Sequence, residues 1–187
     1  MSTPQSRRCS WVSNDPLYID YHDNEWGIAQ YDSLKLFEKL CLEGQQAGLS
    51  WITVLKKREE YRRCFFDFQP EKIIQLTAEN IEALLQNKGL IRNRLKLNGI
   101  VKNAHAYLNM QNNGEDFSTF IWSFVEGKPI INHFNDMSEV PITTDISDSM
   151  SKALKKRGFT FVGSTICYAF MQSMGLVNDH FQYCDKK

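Results

Sequence analysis

Two short segments at opposite ends of the chain carry residue types that bind metal. His180 and Cys184 stand four positions apart, one helical turn, and Cys9 and His22 enclose twelve residues near the N-terminus. Two thiols and two imidazoles are a donor set that suits one tetrahedral zinc ion. A ligand pair from each end would close a very long loop, where a metal clip removes the most chain entropy. The spacing alone leaves open a plainer reading, in which each is an ordinary buried Cys or exposed His. It is not the spacing of a DNA-reading zinc finger, whose ligands fall within one short segment.

A second constellation is Leu42-Glu43-Gly44-Gln45-Gln46-Ala47-Gly48-Leu49-Ser50-Trp51. A carboxylate ends an apolar helix, a turn rich in Gln and Gly follows, and Trp51 starts the next helix. A carboxylate facing an aromatic ring can hold a flat base that is cationic or bears an amino group. The ring stacks, and the carboxylate accepts hydrogen bonds from the exocyclic nitrogen. The competing reading puts Glu43 in a helix C-terminal turn and Trp51 in the core. A third segment is Arg157-Gly158-Phe159-Thr160-Phe161-Val162-Gly163-Ser164-Thr165. A short turn with paired glycines that opens a helix exposes backbone N–H groups to an anion such as phosphate. It also reads as a plain connection between two helices.

The elements that must position these residues are helices. Asp32-Ser33 caps an apolar series at Leu36, Phe37, Leu40 and Cys41, which is helical spacing. Ser50 caps a second helix with Ile52, Val54 and Leu55. Pro70 suits the first position of a short helix through Leu76. Thr77 caps Ala78 to Asn87, ended by Gly89. A longer helix is expected from about Arg92 to Asn112, stopped by Asn113-Gly114. Ser118 starts a short aromatic helix ending near Gly127. Residues 128–146, with Pro129 and Pro141, read as loop. Ser147 opens a helix ended by Gly158, and another runs from Ser164 to Met174, ended by Gly175. Few stretches alternate with period two, so the expected class is all-α. No repeat, low-complexity tract or long linker interrupts the chain, so residues 1–187 read as one domain.

Composition narrows the function classes. Of 187 residues, 42% are hydrophobic, enough for a sizeable core. No run approaches the roughly 18 apolar residues of a membrane helix. MSTPQSRRCS has no apolar stretch of the secretory kind. Five cysteines, an odd number in no regular framework, fit a reducing, cytoplasmic compartment. The formal net charge is zero, from 22 Lys+Arg against 22 Asp+Glu, which argues against a non-specific polyanion binder. The charges are nevertheless segregated. Lys56-Lys57-Arg58, Arg62-Arg63, Arg92-Asn93-Arg94 and residues 152–157 are basic, while residues 15–25 and 136–148 are acid-rich. A local basic face for DNA remains open beside the plainer reading of solvated surfaces.

Cys9-Ser10-Trp11-Val12, the run from Tyr18 to Trp26 (YIDYHDNEW), the block Leu42 to Lys57 (LEGQQAGLSWITVLKK) and Ser151 to His180 resemble the 3-methyladenine DNA glycosylase I family. The resemblance runs from about Cys9 to Cys184. It implies the all-α helix–hairpin–helix DNA glycosylase fold, with a zinc site joining the N- and C-terminal segments. It implies that Cys9, His22, His180 and Cys184 ligate one structural Zn2+. It implies that Glu43 contacts an extruded base, that Tyr21 and Trp51 stack on it, and that Trp11 lines the same pocket. The turn Phe161 to Thr165, with Gly163, Ser164 and Thr165, would grip the DNA backbone. Gln46-Ala47-Gly48-Leu49 would wedge into the duplex where the base has left.

The implied activity is base excision. Double-stranded DNA containing N3-methyladenine would lose that base by hydrolysis of its N-glycosidic bond, giving free 3-methyladenine and an abasic site. Glu43 could also orient the attacking water. No Lys stands in the usual position for Schiff-base chemistry, so a monofunctional enzyme without lyase activity is expected. Many relatives place a catalytic Asp shortly after the hairpin. Here Asp179 adjoins a zinc ligand, so a structural role is expected for it. A monomer without membrane contact is expected. Two alternatives belong to other classes: a damage sensor that binds without releasing base, and a zinc hydrolase, which needs an open coordination position that four good ligands do not leave.

Overall fold

The computed structural model describes residues 6–187; residues 1–5 of the N-terminal segment discussed above lie outside the described residues. The described residues form nine α-helices and two strands of two residues each. The helices are α1 (Pro16–Asn24), α2 (Ser33–Gln45), α3 (Trp51–Cys64), α4 (Pro70–Ile73), α5 (Ala78–Leu84), α6 (Arg94–Asn112), α7 (Phe117–Ser123), α8 (Asp145–Lys156) and α9 (Ser164–Ser173). The expected helical class is therefore observed. None of the helices is long and apolar enough to cross a membrane.

Helix starts follow local capping chemistry. Asp32 accepts from the Lys35 N–H, and Thr77 forms a reciprocal capping box with Asn80. Two starts differ from the sequence reading. α7 is capped by Asp116, not Ser118: its carboxylate accepts from the Thr119 N–H at 2.9 Å, while the Ser118 N–H is taken by the Ser33 hydroxyl at 3.0 Å. α8 is capped by Thr144, and Ser147 is its capping-box partner one turn inside. α6 begins at Arg94 because Asn93 is its cap, and α4 ends at Ile73, short of Leu76. α1 was not anticipated; Asp15 caps it and Pro16 opens it. The 128–146 segment is a loop apart from β1 (Ile130–Ile131), which pairs in parallel with β2 (Val177–Asn178).

α2 is the central element. It packs against α3, α6, α7 and α9, and it buries Leu36, Phe37, Leu40, Cys41 and Leu42. Glu43, Gly44 and Gln45 are buried in its last turn, so the carboxylate is carried into the interior by the apolar stripe before it. α8 and α9 pack on each other and are joined by the turn 157–163. That turn is clamped to α6 by Asn103, whose side chain donates to the Thr160 carbonyl at 3.2 Å and accepts from the Thr160 N–H at 2.8 Å. Phe161, at φ 55°, lies against two glycines. A Cβ on Gly44 would stand 3.0 Å from the Phe161 Cβ, and one on Gly99 would stand 2.9 Å from its ring. Only glycine permits that approach of α2 and α6 to the turn.

Candidate active site and metal centre

A cavity of about 260 Å³ opens beside the end of α2. Its volume lies just under the range of about 300–1,000 Å³ that suits drug-sized ligands, which fits a single small ring system. Four of its lining side chains are the predicted pocket residues Trp11, Tyr21, Glu43 and Trp51, with Gln46 from the following turn. Tyr21 and Trp51 have ring centroids 5.5 Å apart at an interplanar angle of 39°. A base between two rings needs about 7 Å, twice a carbon contact distance. The two rings therefore form one continuous wall without a slot between them.

The polar atoms of this wall are the unusual feature. Among the described residues, Glu43 Oε2 and Trp51 Nε1 are the buried side-chain atoms that lack a hydrogen-bond partner. Leaving such an atom unpaired costs about 1–3 kcal/mol. Burial pushes the Glu43 carboxyl above the usual carboxylate range, and the charge of Lys39 opposes that rise. Burial drives Lys39 downward in turn. The cavity thus combines an acceptor, a donor and aromatic faces, an arrangement suited to a flat heterocycle with its own donors and acceptors.

The predicted metal ligands meet on the neighbouring side of the molecule. The ligand atoms of Cys9, His22, His180 and Cys184 all lie within 4.8 Å of one another, and all four residues are buried. Sulfur to nitrogen separations are 3.6 Å for Cys9 to His180, 3.6 Å for Cys184 to His22 and 3.5 Å for Cys184 to His180. The far ring nitrogens are held from behind: His22 Nδ1 pairs with Asp23 at 2.7 Å, and His180 Nε2 with the Trp26 carbonyl at 3.0 Å. Arg8 grips Asp23 and holds its carboxyl down at about 2. Burial pushes His180 down to about 4 and lowers His22, which favours the neutral imidazoles that bind metal. This set could hold a metal ion.

The sequence profile of the methyladenine glycosylase family matches residues 11–187. The chain belongs to the methyladenine glycosylase family. A DNA-3-methyladenine glycosylase of Haemophilus influenzae is 63% identical over 180 residues, covering 96% of this chain and 97% of that protein. A crystal structure of 3-methyladenine DNA glycosylase I superposes with a TM-score of 0.95 at 60% identity, covering 96% of this chain and 98% of that one. A variant of 3-methyladenine DNA glycosylase I in complex with 3-methyladenine superposes with a TM-score of 0.91 at 41% identity, covering 96% and 97% of the two chains.

In this methyladenine glycosylase family member, the remaining predicted residues lie on two turns. Gln46, Gly48 and Leu49 form the turn between α2 and α3, with Gly48 at φ 78° and Leu49 exposed. Lys96 braces this turn by donating to the carbonyls of Gln45 at 2.9 Å and Ala47 at 2.7 Å. Gly163 caps α9, followed by Ser164 and Thr165. The Ser164 hydroxyl is tied back to α8 through Ser147 at 2.8 Å and Asp148. Sequence reasoning missed Tyr18 and Trp26, which also line the cavity. Trp11 packs on both, with centroids 5.3 Å and 4.9 Å away. The density of aromatics in the run from Tyr18 to Trp26 was the available signal. Asp179 lines the cavity too, and it accepts from Tyr168, Gln172 and Asn132.

Proposed function

We propose that this chain is a DNA-3-methyladenine glycosylase that extrudes N3-methyladenine from double-stranded DNA. It hydrolyses the N-glycosidic bond, releases free 3-methyladenine and leaves an abasic site. The observation that carries the reading is the pair of buried, unpartnered atoms Glu43 Oε2 and Trp51 Nε1 in an aromatic cavity. A methylated adenine supplies what they lack: an amino group for the carboxylate and a ring nitrogen for the indole N–H. Alkylation at N3 leaves the purine cationic while it is linked to the sugar. An ionised Glu43 matches that charge, and Tyr21 and Trp51 provide a stacking wall beside Trp11.

The chemistry asks little acid catalysis of the protein, because a cationic purine is already a good leaving group. Extrusion costs a few kcal/mol, least for a damaged base. Recognition in the cavity offsets it, and Glu43 can orient the water that attacks the sugar. Lys39 is turned onto the Tyr21 hydroxyl and is not part of the cavity lining, which supports a monofunctional enzyme without Schiff-base chemistry. The turn from Phe161 to Thr165 is read as the hairpin of a helix–hairpin–helix unit made by α8 and α9, gripping phosphate through backbone N–H groups. Gln46 to Leu49 is read as the wedge.

The metal is read as one structural zinc. Bonds of about 2.3 Å to sulfur and 2.0 Å to nitrogen separate the two by about 3.5 Å in a tetrahedron, close to the separations of 3.5 to 3.6 Å in the cluster. Four protein ligands close the site, so the ion would hold Cys9, His22, His180 and Cys184 together and take no part in the reaction.

The test is incubation with DNA methylated by a radiolabelled methyl donor, followed by chromatography of the released bases. Free 3-methyladenine is expected, with strand breaks appearing only after alkali. Tight binding to the methylated DNA with no base released would instead identify a damage sensor.

A further inference from the structure

Behind the aromatic wall lies a buried cation that base recognition as described above leaves unused. Lys39 sits on α2 one helical turn before Glu43, and it is buried. Its ammonium donates to the Tyr21 hydroxyl at 3.1 Å and stands 4.5 Å from the centroids of both the Tyr21 and Trp51 rings. It is not among the side chains lining the cavity, whereas Tyr21, Trp51 and Glu43 are. The wall and its carboxylate therefore share one internal cation, screened from the ligand by the two rings. We propose that Lys39 is a positioning residue for base recognition: it pins the Tyr21–Trp51 wall and supplies the charge that keeps Glu43 a carboxylate in its dry setting. The inference rests on the reading of this cavity as a site for a cationic methylated adenine.

The physical case is a balance of charges. An ammonium has three N–H donors and no acceptor. One of those donors meets the Tyr21 oxygen, and the faces of Tyr21 and Trp51 attract the rest of the charge. A lysine in that place orders both rings at once, which an apolar side chain would do only by contact. The charged and titratable groups around it are Tyr21 and Glu25 from α1 and its end, Glu38 and Glu43 on its own helix, and Arg58 on α3. Arg58 is engaged by Glu25 in a two-pronged ion pair at 2.7 and 2.8 Å. Glu43 has no comparable ion pair: its Oε2 has no hydrogen-bond partner, and beside the charge of Lys39 only the neutral Ser173 hydroxyl helps to hold the carboxyl down. Burial raises the Glu43 carboxyl toward neutrality, and Lys39 is the cation that opposes this. Without Lys39 the carboxyl would protonate at a higher pH and meet a cationic base as a neutral acid.

The sign of the effect is testable with a ligand of fixed charge. 3,9-Dimethyladeninium keeps its positive charge through the neutral range and imitates the glycosidic linkage at N9. Its affinity is measured by tryptophan fluorescence between pH 5.5 and 8.5 for wild type, Lys39→Met, Glu43→Gln and the double variant. In wild type, affinity should fall as pH drops and Glu43 takes a proton. In Lys39→Met that fall should move up by about one pH unit, giving roughly twofold weaker binding at its own midpoint and approaching about tenfold toward the acid end. At the alkaline end only a smaller, pH-independent loss from the unpinned wall should remain. In the Glu43→Gln background, Lys39→Met should show that same pH-independent loss and no shift of the profile.

A Lys39→Met profile parallel to wild type, weaker by the same factor at every pH, would mean packing alone and overturn the proposal. So would a profile identical to wild type. Glu43→Gln binding as tightly as wild type would instead remove the underlying reading of the cavity. Lys39→Gln, which keeps a donor toward Tyr21 without the charge, repeats the comparison should Lys39→Met fail to fold.

Discussion

Glu43 and Trp51 offer the cavity opposite hydrogen-bonding characters, an acceptor oxygen and a donor nitrogen. They can therefore be separated by substitution. Glu43→Gln keeps shape and removes charge, and on the proposed function it should lose most of the affinity for a cationic methylated adenine and most of the excision rate. A hydrogen bond to a charged group is worth about 1.5–3 kcal/mol, or roughly 10- to 150-fold. Trp51→Phe keeps a smaller stacking face and removes the indole N–H, so its loss should be at least near tenfold. Isothermal titration of both variants tests the pair; equal affinity to wild type in Glu43→Gln would send the search for an acceptor to Asp179, which also lines the cavity. The sequence made Glu43 and Trp51 visible because they flank one turn. Tyr18, Trp26 and Lys39 were less visible, because their relation to that turn is tertiary. Lys39 falls between Glu38 and Leu40 on an amphipathic helix and reads there as a surface lysine, yet it is buried under two aromatic rings.

At the scale of elements, the turn between α8 and α9 allows the DNA grip and the base recognition of the proposed function to be tested separately. Gly163 has open space where a Cβ would project, and its φ is −60°, so the fold itself tolerates a side chain there. Gly163→Val should therefore fold normally, bind free 3-methyladenine like wild type and bind DNA more weakly, by a similar factor for any sequence, since phosphate contacts carry no base information. Full DNA affinity in this variant would place the hairpin elsewhere. Asn103→Ala addresses the same turn from beneath. It removes both hydrogen bonds to Thr160 and leaves that half-buried backbone unpaired, so a drop of about 1 kcal/mol in stability is expected from chemical denaturation. Element starts were legible where a side chain caps its own helix, as at Asp32 and Thr77. Ser147 misled because the inner partner of a capping box has the same residue type as a cap. α1 was missed because its nine residues, PLYIDYHDN, carry no single apolar stripe. Its faces answer instead to α3 and to the metal ligands.

At the scale of the molecule, the Cys/His cluster and the cavity share side chains, which on the proposed function links stability to recognition. Trp26 packs edge-on against His180, with ring centroids 4.7 Å apart, and lines the cavity on the other side. Trp11 does the same against His22 at 5.2 Å. Phe181 lies between the ligands His180 and Cys184 in one buried cluster with Cys9 and also reaches the cavity wall. The sequence showed four residues of metal-binding type at the two ends of the chain, but not that the cluster they form backs the cavity, because that adjacency depends on α1 folding against the C-terminal segment. Removal of the proposed zinc should consequently have two effects. The first is a lower melting temperature, because the ligands join residues 9–22 to residues 180–184 across most of the chain. A loss of several kcal/mol would lower Tm by on the order of 10 °C in a protein of this size. The second is weaker binding of free 3-methyladenine, although no ligand residue touches it, because Trp11 and Trp26 lose their backing. Acid should act in the same direction, since protons compete with the metal for both imidazoles and both thiolates. The measurement is a chelator titration that follows metal content, melting temperature and base affinity in one sample, with Cys184→Ala in parallel. Metal content falling to zero while melting temperature and affinity both hold would detach the cluster from the fold and from the pocket. A falling melting temperature with unchanged affinity would confine the metal to stability and leave the aromatic wall to be held by Lys39 and the core.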